Sequence, residues 1–90
     1  MISEERQNTI VECARKFGAR TVWLFGSAMK DGPQEGDFDI AVDGVPPENI
    51  FKLHFRLSLA LPRPVDLVDL SLDPPIASII LAYGVCLYER

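Results

Sequence analysis

The stretch Asp37-Phe38-Asp39-Ile40-Ala41-Val42-Asp43 constrains this chain more than any other. Phe38, Ile40 and Val42 alternate with Asp37 and Asp39, which is the period of a strand whose successive side chains point to opposite faces. The apolar set therefore faces a core, and the two carboxylates share the other face. Strands disfavour Asp, and two neighbouring acids repel each other. The pair is explained if a doubly positive ion sits over it. Hard oxygen ligands suit Mg²⁺, which takes one or two protein carboxylates together with phosphate oxygens of a substrate. Just upstream, Leu24-Phe25-Gly26-Ser27 reads as a strand end running into a Gly-Ser turn that opens a helix. Free backbone N–H groups at such a turn, with the helix dipole behind them, hold phosphate. Gly26 lets a phosphate approach the backbone, and Ser27 offers it a hydroxyl. A phosphate cradle and a metal dyad on one loop point to nucleotide chemistry.

The rest of the chain alternates helices and strands around this stretch. Ser3 is placed to cap a helix with Glu4 and Glu5 in its first turn, Ile10, Val11, Ala14 and Phe17 on its apolar side, and Gly18 as its stop. Thr21 to Phe25 is nearly continuous in apolar residues, the pattern of a strand buried on both faces. The acidic strand runs from Asp37 to Asp43 and is broken by Gly44-Val45-Pro46-Pro47. A helix beginning at Pro47 or Glu48 carries one stripe of Ile50, Leu53, Leu57 and Leu61 and a neighbouring one of Phe51, Phe55 and Leu59. That apolar face is wider than one sheet contact requires, so it is a candidate docking surface.

Pro62 and Pro64 end the helix, and a third strand follows from Val65 to Leu70. Its two acids, Asp66 and Asp69, are three residues apart and so face opposite sides of the sheet. Asp73 is predicted to cap a short helix from Pro74-Pro75 to Tyr83, and Val85 to Tyr88 reads as a closing strand. The fold class is α/β: a small mixed sheet flanked by helices, in one domain over residues 1–90.

Charge and composition exclude several classes. A net charge of −4 argues against direct nucleic-acid binding, which asks for a basic face. No apolar run approaches the length of a membrane span, and the first residues do not read as a signal peptide. Cys13 and Cys86 lack zinc-site spacing, and two unpaired thiols fit a reducing cytoplasm.

Gly26-Ser27 followed by Asp37-Phe38-Asp39-Ile40 resembles the GS…DxD signature of the DNA polymerase beta-like nucleotidyltransferases. Val65-Asp66-Leu67-Val68-Asp69-Leu70, the ending Tyr83-Gly84-Val85-Cys86-Leu87-Tyr88-Glu89 and the small size resemble the minimal nucleotidyltransferase (MNT) family within it. The resemblance covers nearly the whole chain and implies the polymerase beta-like fold. It implies that Asp66 completes a set with Asp37 and Asp39 that holds two Mg²⁺ ions and accepts the proton of the attacking hydroxyl. It also places Lys30 where the family carries an arginine beside the nucleotide phosphates, next to Gly26 and Ser27. The implied activity is transfer of AMP from ATP to a protein acceptor. The implied partner is a HEPN-domain toxin, neutralised by this chain as antitoxin through modification of a tyrosine. The alternative is a non-catalytic partner-binding module of the same fold, its turnover weakened by Met29, Asp31 and the short loop between Ser27 and Asp37.

Overall fold

The computed structural model describes residues 2–26 and 37–90. Helix α1 (Glu4–Lys16) starts where expected: Ser3 Oγ accepts the Arg6 N–H at 3.3 Å, and Glu4 and Glu5 occupy the positive end of the helix. It ends in a Schellman turn. The Ala19 N–H reaches the Ala14 carbonyl and the Gly18 N–H that of Arg15, with Gly18 at φ 99°. Strand β1 (Thr21–Leu24) follows, then β2 (Phe38–Asp43), α2 (Pro47–Ala60), β3 (Val65–Asp69), a single 3₁₀ turn (Leu70–Leu72), α3 (Ala77–Tyr83) and β4 (Val85–Glu89).

The four strands form one mixed sheet in the order β3-β2-β1-β4. β1 is antiparallel to both β2 and β4, whereas β2 and β3 are parallel. A parallel pair needs a crossover, and α2 supplies it. Ile10 and Ala14 of α1, Leu53 and Leu57 of α2, and Val22, Leu24, Phe38, Ile40 and Val42 of the sheet merge into one buried cluster. Both long helices therefore cover the same sheet face. The mixed α/β architecture expected from the sequence is present.

Three local expectations change. β1 is not buried on both faces: Val22 and Leu24 are buried, but Thr21 and Trp23 are only partly so, because α1 and α2 lie on one side. β2 begins at Phe38, with Asp37 just before it. Asp73 does not cap the last helix. It adopts φ 50° as the residue closing the 3₁₀ turn, and α3 begins at Ala77 behind Ile76. The adjacent prolines delay the helix, since each biases the residue before it away from the α region. Among the described residues, no helix is long and apolar enough to cross a membrane.

Candidate functional site

Phe38 and Val65 are partners in the parallel register and both are buried, so the next residues along, Asp39 and Asp66, turn together to the opposite face. Asp39 and Asp66 are themselves register partners. The sheet thus brings carboxylates from β2 and β3 side by side on the face that α1 and α2 leave uncovered. Asp37 stands at the same end, where the Phe38 N–H donates to the Pro64 carbonyl at 2.9 Å. That bond also fixes the Pro62-Arg63-Pro64 entry into β3. Asp37 and Asp66 are exposed, while Asp39 is half-buried.

Gly26 closes the site from the β1 side. The Phe25 N–H donates to the Asp39 carbonyl at 3.1 Å, which extends the β1–β2 pairing past Leu24 and lays the next residue against Asp39. Gly26 takes φ 58°, a left-handed conformation. A Cβ there would stand 3.2 Å from Asp39 Cγ and nearer still to Oδ2. Glycine is demanded twice, by the backbone and by the carboxylate lying over it.

Asp69 pairs with Val42, whose side is the core face, and its carboxylate is used locally. Its Oδ1 accepts the Ser71 N–H at 3.0 Å and the Ser71 hydroxyl at 2.6 Å, capping the 3₁₀ turn. The sequence set it on the face opposite Asp66; the structure makes it a cap, and Ser71 two residues on was the signal. His54 sits with Nε2 2.8 Å from the Val65 carbonyl on the sheet-edge strand β3. Trp23 is in register with Ala41, two residues along from Asp39 on the acidic face. Its indole N–H is buried without a hydrogen-bond partner among the described residues.

Of the sequence-predicted site residues, Gly26, Asp37, Asp39 and Asp66 are brought to one end of the sheet, with Asp39 and Asp66 on one face. Ser27 and Lys30 lie outside the described residues, as do Met29 and Asp31. Among the described residues, no three His, Cys, Asp or Glu side chains converge closely enough to hold a metal ion. The gathering is one of backbone register.

Residues 7–90 match the family described as Polymerase beta, Nucleotidyltransferase. Among solved structures, a mutant MntA toxin–antitoxin complex contains a chain 28% identical, with a TM-score of 0.76, covering 100% of this chain and 75% of its own. A toxin–antitoxin structure with AMP-PNP is 26% identical at a TM-score of 0.75, covering 93% and 73%. A tri-AMPylated Shewanella oneidensis HEPN toxin in complex with MNT antitoxin is 25% identical, also at 0.75, covering 99% and 74%. No curated protein matches the sequence. With almost its entire length matched, the chain belongs to the polymerase beta nucleotidyltransferase family.

Proposed function

We propose that this chain is a single-domain, Mg²⁺-dependent nucleotidyltransferase that moves AMP from ATP onto a protein, a tyrosine of a HEPN-domain toxin that it neutralises as antitoxin in the cytoplasm. The observation that supports the reading is the Asp39–Asp66 register, which pairs an acid of β3 with an acid of β2 that itself lies over Gly26. The similar structures support the partner and the chemistry, since one holds an AMPylated HEPN toxin with an MNT antitoxin and another holds AMP-PNP. The two free cysteines suit a reducing compartment.

The donor set fits Mg²⁺, being three carboxylates and no soft ligand. Asp37, Asp39 and Asp66 would hold two ions, which when bound lower the pKa of the attacking hydroxyl and offset the charge of the leaving pyrophosphate. The chain's own residues do the rest. Gly26 gives the triphosphate close access to the backbone, while the Ser27 hydroxyl and the Lys30 ammonium take phosphate oxygens. Asp66 accepts the proton as the tyrosine oxygen bonds to the α-phosphorus and the bond to pyrophosphate breaks. A non-catalytic binding module is the second reading, favoured by the exposed Phe51, Phe55 and Leu59 on α2.

Calorimetric titration of ATP with and without Mg²⁺ tests the site. Binding should require the ion, because Asp37 and Asp39 otherwise repel the triphosphate, and Asp37→Asn with Asp39→Asn should abolish the Mg²⁺-dependent part. Equal affinity in chelator would overturn the metal dyad and leave the binding-module reading in place.

A further inference from the structure

Helix α2 presents two apolar stripes with different fates. Leu53 and Leu57 are fully buried against the sheet, yet Phe51, Phe55 and Leu59 stand 79%, 57% and 67% exposed. These three are four residues apart along the helix, so they form one ridge about 12 Å long. Beside it runs a groove of about 580 Å³ between α1 and α2, with Cys13, Lys16 and Phe17 on one wall and Arg56 and Leu59 on the other. A second hollow carries the seam to Phe51, Lys52 and Phe55, sharing Phe17 and Arg56 with the first. The seam is therefore a continuous apolar trough whose rim carries Lys16, Lys52 and Arg56. Glu12, the acid on the same wall, is paired with Arg15 at 2.8 Å.

A basic rim is out of character for a chain with a net charge of −4. It also argues against a second copy as the occupant. Two α2 helices packed across a dyad would bring Lys52 and Arg56 of one copy against those of the other, and like charges across an interface weigh against the pairing. The geometry points to an amphipathic helix of a different protein, one whose apolar ridge is flanked by Asp and Glu, as the occupant of the α1–α2 seam. Its apolar residues enter the trough between Phe17 and the Phe51–Phe55–Leu59 ridge, and its carboxylates meet Lys16, Lys52 and Arg56. The inference rests on the reading that the chain acts on a protein partner. It deepens that reading by placing the docking surface on the helical side, away from the acidic face of the sheet.

The test measures binding of two synthetic amphipathic helices, identical in their leucine ridge but flanked by Glu in one and by Lys in the other. Fluorescence anisotropy with the intact protein should give about tenfold tighter binding of the Glu-flanked peptide. Lys52→Glu with Arg56→Glu should reverse the preference, and Phe51→Ala with Phe55→Ala should remove binding while far-UV circular dichroism stays unchanged. Equal binding of the two peptides would overturn the proposal. So would dimerisation of the protein through the ridge, or preference for a single-stranded RNA over either peptide. The Asp37→Asn, Asp39→Asn variant keeps peptide binding while losing ATP, so failure of the docking surface and failure of the nucleotide site are distinguishable.

Discussion

Gly26 and Asp39 are the residues on which the site's geometry turns, and they constrain each other. Gly26→Ala would place a methyl group against the Asp39 carboxylate at a left-handed φ. The backbone strain is about 1–2 kcal/mol. We expect a lower melting temperature together with weakened Mg²⁺-dependent ATP binding, read by thermal unfolding and calorimetry on the same sample. Unchanged affinity would mean that Asp39 takes no part in holding the nucleotide. Asp66 and Asp69 were separable by strand period alone, and the register agrees: one lies beside Asp39 and the other beside Val42. The role of Asp69 was less legible, because a 3₁₀ turn of three residues leaves little trace in hydrophobic periodicity. Since Oδ1 makes both of its bonds, Asp69→Asn keeps the acceptor and should be nearly silent, whereas Asp69→Ala should cost about 1 kcal/mol in denaturant unfolding. Burial pushes the Cys13 thiol up, with Lys16 and Arg56 pulling the other way. The folded state therefore favours the protonated thiol, and the stability this contributes is lost as pH rises above the ordinary thiol range. Cys13 should alkylate more slowly than exposed Cys86, as peptide mapping after a short iodoacetamide pulse would record.

At the scale of elements, α2 shows what periodicity can and cannot reveal. Its two adjoining apolar stripes are plain in the sequence, and so is the excess of apolar face over one contact. Which stripe enters the core is not, because a helix rotated by one position buries either set equally well. The sheet's position settles it in favour of Leu53 and Leu57. Leu57→Ala should then cost about 2–5 kcal/mol of stability, while Phe55→Ala, at a side chain already in solvent, should stay within about 0.5 kcal/mol. Chemical denaturation of the two variants compares them directly, and the reverse ordering would place the wrong stripe inside. β1 misled for a related reason. Trp23 is apolar enough to suggest burial on both faces, but strand composition carries no information about which side the helices take.

For the whole molecule, the acidic site is a product of topology. β2 and β3 lie far apart in sequence, and α2 must cross over before Asp66 can lie beside Asp39. Class, element order, the pairing of Asp37 with Asp39 and the opposition of Asp66 to Asp69 were legible because each follows from local period, whereas the place of Asp66 beside the dyad came from the family resemblance. Strand order was not, since nothing in residues 65–69 names the neighbour they pair with. On the proposed reading, the Phe–Leu ridge of α2 and the acidic face of the sheet would give one small domain separate surfaces for a partner and a nucleotide. The most direct test of this account is intact-mass spectrometry of the HEPN-domain partner after incubation with this chain, ATP and Mg²⁺. The account predicts AMP on a partner tyrosine with the wild-type chain and with Asp69→Asn. It predicts none with Asp66→Asn, even though that variant still binds ATP. Transfer that persists without Asp66, or that vanishes only without Asp69, would contradict the account.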